Sequence, residues 1–189
     1  MLDVKTRQAY LKTLGFYNGA VDGIAGKKTR AAYLALQQRY FTRAADIDGK
    51  YGNNTDILLR NAYNVAKHTK HFSLDEFRCK CKGEYCTGFP VLIDVQLLKN
   101  LQKLRDVYGA TTITSGLRCK SYNTIVGGAS ASRHMTGKAA DITNQKSKSL
   151  LGRQAIMKYW YNLSDARYTY CNVNGSYPNM GTSVHVDVR

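Results

Sequence analysis

No run of 18 apolar residues occurs in the 189-residue chain, so no membrane insertion is expected. The opening residues, Met1-Leu2-Asp3-Val4-Lys5-Thr6, lack the apolar centre of a secretory signal, and none is expected. Proline is scarce, with two residues, and the apolar fraction is 43%, which together exclude a disordered chain. Acidic side chains are also few, 13 against 28 lysines and arginines, for a net charge of +15. That excess is seven over residues 1–70 and eight over residues 71–189, so it is spread out rather than gathered in a tail. Such a surface suits an anionic polymer, either nucleic acid or bacterial cell wall. No nucleic-acid-binding motif accompanies it, so no specific nucleic-acid partner is expected. The length allows one ordinary domain or two small ones with a real core.

Cysteine and histidine are limited too. Cys79, Cys81, Cys86, Cys119 and Cys171 form an odd set without a disulfide framework. The first three look like half of a structural zinc site, with Cys119 a conceivable fourth ligand. The plainer reading, preferred on sequence, is reduced and partly buried thiols. Of the four histidines, His68 and His71 fall in the polar run Lys67-His68-Thr69-Lys70-His71, read as a linker with solvated side chains. The other two lie in Ser132-Arg133-His134-Met135-Thr136-Gly137-Lys138-Ala139-Ala140-Asp141 and in Val184-His185-Val186-Asp187. Two histidines and a carboxylate are the set a catalytic zinc needs, with its fourth position left open.

What is present upstream is a repeat. Asp22-Gly23-Ile24-Ala25-Gly26-Lys27-Lys28-Thr29 returns 26 residues later as Asp48-Gly49-Lys50-Tyr51-Gly52-Asn53-Asn54-Thr55. Each copy reads as a turn feeding a helix. Apolar spacing then places Ala31, Leu34, Ala35 and Gln38 on one helical face, and Ile57, Leu58, Asn61, Ala62 and Val65 on another. A preceding helix spans about Val4 to Leu14 and closes at Gly15. The stretch Leu14-Gly15-Phe16-Tyr17-Asn18-Gly19-Ala20-Val21-Asp22-Gly23, with Gly26, Thr29, Ala31-Ala32 and Leu36-Gln37, resembles the peptidoglycan-binding domain of many wall hydrolases. The resemblance implies bacterial peptidoglycan as a partner, and Tyr17 and Tyr51 beside the turns are the candidate contacts.

Beyond residue 72 the pattern is mixed α and β. Val91 to Arg105 has helical spacing, with Gly109 ending that helix; Leu151 to Tyr161 is a second helix. Ala110 to Ser115 and Ser183 to Val188 read as strands. Alternation in the last one sends Val184, Val186 and Val188 to one face and His185 and Asp187 to the other. In Gly137–Ile142, Ala140 and Ile142 face inward while Ala139 and Asp141 point away. The expected architecture is two domains. Residues 1–67 form an all-α three-helix bundle, 68–72 a linker, and 73–189 an α+β domain with a small, mainly antiparallel sheet.

Ser115-Gly116-Leu117-Arg118-Cys119, Tyr122-Asn123, Val126 to Ser130, Ser132-x-His134-x-x-Gly137-x-Ala139-x-Asp141 and His185-x-Asp187 resemble the M15 family of zinc D-Ala-D-Ala carboxypeptidases and peptidoglycan peptidases. The resemblance implies one catalytic zinc on His134, Asp141 and His185, and Arg118 as the ligand of an anionic group on the stem peptide. Ser115 and Ser132 are either substrate contacts or turn residues. Several relatives carry an acid three residues before the last zinc histidine, or a histidine two before it. This chain has Thr182 and Ser183 there. Asp187 then has two readings: proton acceptor, or the carboxylate that orients His185.

The expected function is a wall-lytic zinc peptidase of the phage endolysin type, made in the host cytoplasm and reaching the wall through a holin-opened membrane. The alternatives are a D-Ala-D-Ala carboxypeptidase that trims stem termini without lysis, and a non-catalytic wall-binding protein.

Overall fold

Each Asp-Gly turn of the repeat is gripped by a buried glutamine from the helix before it. In the computed structural model, which describes residues 1–189, α1 (Val4–Thr13), α2 (Lys27–Tyr40) and α3 (Asn53–His68) form the N-terminal bundle. Asp3 starts α1 by accepting a hydrogen bond from the Thr6 amide at 2.9 Å. Gln8 on α1 donates to Asp22 Oδ1 at 2.8 Å and accepts from the Gly23 amide at 2.8 Å. Gln37 on α2 repeats this, donating to Asp48 Oδ1 at 3.1 Å and Thr55 Oγ1 at 2.9 Å while accepting from the Gly49 amide at 2.8 Å. Gly23 and Gly49 sit at φ 82° and 67°, where a side chain would be strained.

The stripe that α2 buries is one residue off the expected one. Ala32, Tyr33, Leu36 and Gln37 are buried, whereas Ala31 and Gln38 are exposed. The glutamine that closes the second turn is Gln37, and it fixes which face of the helix turns inward. On α3, Leu58, Asn61, Ala62 and Val65 are buried as expected.

α3 is also the seam between the two halves. Asn61, fully buried, donates to the Val91 carbonyl at 2.9 Å and accepts from the Ile93 amide at 2.8 Å. One continuous apolar core runs from Leu36 and Leu58 through Leu97 and Leu101 to Val186 and Trp160. The polar run Lys67–His71 begins in the last turn of α3 and continues along this seam, where the Lys70 amide donates to Gln102. Thr69 is buried, its hydroxyl donating to Val65 O at 2.8 Å, and Phe72 packs edge-on against Phe77.

The next helix, α4 (Val95–Tyr108), begins four residues later than its apolar spacing suggests. Asp94 caps it by accepting from the Gln96 amide at 2.7 Å, and Val91–Ile93 is taken up by Asn61 instead. Gly109 ends it at φ 79°. A four-stranded sheet follows: β1 (Thr111–Ser115), β2 (Ala139–Asn144), β3 (Ala166–Cys171) and β4 (Val184–Val188), in the order β1-β2-β4-β3. All three pairings are antiparallel. α5 (Lys120–Ile125) is a short helix after β1, and α6 (Leu150–Tyr161) backs the sheet, capped by Ser149. Neither β3 nor α5 was anticipated. Val184, Val186 and Val188 enter the core with Trp160, whose indole N–H donates to the Asp187 carbonyl at 2.9 Å. No helix is long and apolar enough to cross a membrane.

Truncating Gln37 strands the Asp48, Gly49 and Thr55 groups it satisfies. Gln37→Ala is expected to cost about 2–3 kcal/mol, against almost nothing for the exposed Gln38→Ala. Urea unfolding should show a lower midpoint with an unchanged slope; equal midpoints for the two variants would refute the clamp.

Candidate metal centre

Sheet register assembles most of the site. Ser115 pairs with Asp141, Asp141 with His185, and His185 with Tyr170, so one row of side chains crosses all four strands. Directly opposed side chains on one face lie about 5 Å apart at Cβ, close enough for their polar tips to meet. His134 comes from outside the sheet, on a tight turn over Arg133–Thr136. Gly137 ends that turn at φ 72°, and a Cβ there would collide with the Leu92 carbonyl. Glycine is therefore required twice over, for its backbone angle and for its lack of a side chain.

Three atoms converge. Asp141 Oδ1 lies 2.8 Å from His185 Nδ1 and 3.3 Å from His134 Nε2, and the two nitrogens are 3.3 Å apart. Ligands about 2.0–2.1 Å from a tetrahedral zinc are about 3.3 Å from one another. The outward contacts point to which atoms carry lone pairs. His134 Nδ1 lies 2.7 Å from the Gly116 carbonyl oxygen, which can only accept, so Nδ1 holds the proton and Nε2 is bare. His185 Nε2 faces Asp187 Oδ2 at 3.6 Å, which favours the proton on Nε2 and leaves Nδ1 bare. Three lone pairs then point at one another in a buried pocket, an arrangement that a cation relieves. The donor set fits a divalent zinc-like ion.

Arg118 completes the charge balance. Its guanidinium donates to Asp141 Oδ2 at 2.8 Å and to Ser115 Oγ at 2.9 and 3.0 Å. Burial by itself would raise the Asp141 pKa. When the inward imidazole nitrogens carry protons instead of a cation, their hydrogen bonds to the carboxylate outweigh burial and hold it well below the ordinary carboxylate range. Burial dominates at His134 and lowers its pKa. At His185 burial acts the same way, but the facing carboxylates of Asp141 and Asp187 favour the protonated ring, prevail and raise it.

The centre lies in a cleft of about 720 Å³ lined by Lys80, Arg118, Arg133 and Arg167 against only two carboxylates, Asp141 and Asp187. Ser132 lines the same cleft, as do Tyr168, Tyr177 and Ser183. Asp187 is placed behind His185 rather than beside the convergence point. Besides facing Nε2 it accepts from the Tyr168 amide at 2.8 Å and lies 3.6 Å from Arg167. Tyr170, which no apolar period marks in the sequence, stacks on His185 with ring centroids 4.5 Å apart. Its signal was the Tyr168-Thr169-Tyr170 alternation of an unrecognised strand. Tyr17 and Tyr51 lie far from this cleft and serve the bundle. Tyr17 is buried with its hydroxyl on the Ala20 carbonyl, and Tyr51 donates to Asp56 beneath the Arg7 guanidinium. Each hydroxyl is engaged within the bundle.

Protons and a cation compete for the same three atoms. His185, with the raised pKa, takes its proton first as pH falls; His134, with the lowered one, follows at lower pH. Zinc affinity should be flat above the His185 transition, then fall about tenfold per pH unit, and more steeply once His134 joins. Chelator-competition titrations across pH 5–8 would measure it; affinity independent of pH would exclude histidine ligation.

The profile of the Peptidase M15 family matches residues 70–174, taking in His134 and Asp141 and stopping short of His185. A putative peptidoglycan binding domain matches residues 2–55. Two curated relatives share parts of the sequence. N-acetylmuramoyl-L-alanine amidase CwlM of Mycobacterium tuberculosis is 35% identical over 96 residues, 49% of this chain and 22% of that protein. The spore cortex-lytic enzyme of Oceanobacillus iheyensis is 42% identical over 65 residues, 34% of this chain and 22% of that protein. The matched region is thus about a fifth of each relative's length. The M15 profile covers more than half of the residues here and falls on the domain that carries the centre: the chain belongs to the Peptidase M15 family.

Proposed function

We propose that the chain is a zinc-dependent peptidase that cuts the peptides of bacterial peptidoglycan at the wall. The observation that carries this reading is the convergence of His134 Nε2, Asp141 Oδ1 and His185 Nδ1 in a cationic cleft. The N-terminal match to a putative peptidoglycan binding domain and the names of the two relatives support the substrate class. A bound zinc ion would supply Lewis acidity, polarising a carbonyl and making a water acidic near neutral pH.

The protein's own groups do the rest. Arg118 engages Ser115 and Asp141 through Nε and Nη2, which leaves Nη1 to meet a peptide carboxylate entering the cleft. Lys80, Arg133 and Arg167 add a positive rim that draws in anionic wall polymer. Asp187 acts as a positioning residue, fixing the His185 ring so that Nδ1 faces inward. The wall-binding module keeps the domain near an insoluble substrate, raising its effective concentration there. As with an endolysin, the enzyme reaches the wall once the membrane has been opened.

Purified sacculi digested with the zinc-loaded protein and resolved by mass spectrometry should show crosslinked muropeptides converted to uncrosslinked ones. Chelation or His134→Ala should abolish the conversion. Loss of terminal D-Ala alone would instead make it a carboxypeptidase, and undiminished activity after metal removal would overturn the zinc reading. For Asp187→Asn, zinc affinity should drop about 10–100-fold, with activity largely rescued by excess zinc. A rate loss of about 10²–10⁴-fold at full zinc occupancy would instead identify Asp187 as the proton acceptor.

A further inference from the structure

Four of the five cysteines gather beside Arg118, outside the centre described above. Cys79, Cys81 and Cys86 come from the loop between residues 78 and 90, and Cys119 is the residue that starts α5. We propose that these four cysteines bind a second zinc ion, structural rather than catalytic, which staples the loop to α5 and so fixes Arg118.

The geometry is that of a cluster and not of pairs. All four sulfurs lie within 4.8 Å of one another, with Cys81 and Cys86 at 3.4 Å. Four thiolates about 2.3 Å from a tetrahedral zinc are about 3.8 Å apart, so small side-chain rotations close the shell. A disulfide draws two sulfurs to about 2.05 Å and leaves the others out; a metal uses all four at once. Cys171 is the internal contrast, buried in β3 and outside the cluster.

The surroundings suit thiolates. Cys79 and Cys81 are buried, and Cys86 and Cys119 half-buried, so a closed coordination shell without water is available. The Cys119 amide donates to Cys79 Sγ at 3.4 Å, a bond that a charged sulfur accepts better than a neutral thiol. Such amide donors beyond the ligands are common support for metal sites.

Arg78 and Phe89 anchor the two ends of the loop, and its middle has little regular structure to hold its shape. It contains no helix or strand, and few backbone bonds tie it, among them Cys79 N to Gly88 O at 2.8 Å and Glu84 N to Cys81 O at 3.0 Å. Yet Lys82 is held at φ 55°, a left-handed angle that a side chain adopts only where its surroundings over-determine it. A metal crosslink between Cys81 and Cys86 supplies that constraint. Cys119 directly follows Arg118, so its ligation carries the same rigidity to the guanidinium on Asp141.

The test separates this ion from the catalytic one. Protein purified from zinc-supplemented cells should contain two zinc ions per chain by elemental analysis. His134→Ala/His185→Ala should keep one, and Cys81→Ser/Cys119→Ser should lose it. In the histidine variant, cobalt exchanged for zinc should give intense thiolate-to-cobalt charge-transfer absorption and tetrahedral d–d bands. That readout needs no enzymatic activity and survives even if the cysteine variant fails to fold or the peptidase reading is wrong. One zinc in the wild type that vanishes with the histidines would overturn the proposal. So would alkylation mass spectrometry of the unreduced protein showing disulfides among the four.

Discussion

A buried carboxylate shared by two imidazoles and one guanidinium sets the terms for the C-terminal domain. Asp141 has little exposed surface, and such a group is tolerated only when its oxygens are fully partnered. One oxygen faces His134 and His185, and the other accepts from Arg118. Removing Arg118 would leave that charge buried and unbalanced. The neighbouring structure follows from this requirement. The β2–β4 register sets Asp141 against His185, Ser115 steadies Arg118, and Gly137 lets His134 return over the sheet. A slip of one residue between β2 and β4 would reverse faces, driving His185 into the core and Val184 and Val186 into the cleft.

This interdependence explains what could be read from the sequence. Val184-His185-Val186-Asp187-Val188 declares its two faces by alternation, and the sheet keeps them. Asp-Gly turns and the Gly109 stop act within a few residues and were legible for that reason. β3 was not: Arg167 and Tyr168 are exposed on an edge strand, so no strict apolar period marks it, and its partner β4 follows a long loop. The glutamine clamps escaped because Gln8 lies 14 residues from the turn it satisfies. Apolar spacing on α2 was ambiguous by one residue, and a buried amide settled it. Tyr17 and Tyr51 illustrate a similar limit. A tyrosine near a turn reads the same whether its hydroxyl meets solvent or finds Ala20 or Asp56 inside. That Asp187 approaches His185 Nε2 is a detail of ring orientation that no spacing encodes.

The two cysteine- and histidine-bearing clusters differ as physical chemistry would have them differ. Nitrogen and oxygen donors from a sheet and a turn meet at a cleft, where substrate can approach. Sulfur donors from a loop and a helix start meet in a partly buried pocket, where closing the shell gives order rather than reactivity. Arg118 and Cys119 are consecutive residues, so the backbone joins the support to the chemistry.

Asn61 has a consequence for how such a molecule works on a solid. Its side chain, fully buried, ties α3 to the strand-like Val91–Ile93 segment, whose Leu92 carbonyl packs against Gly137. The first module and the His134 turn are therefore joined through one continuous packed core. A tethered blade can sweep every bond within its leash. A blade fixed to its handle reaches only those at one distance and one angle from the grip. If, as proposed, the N-terminal bundle holds a peptidoglycan meshwork, the spacing of that mesh would help select the bond to be cut.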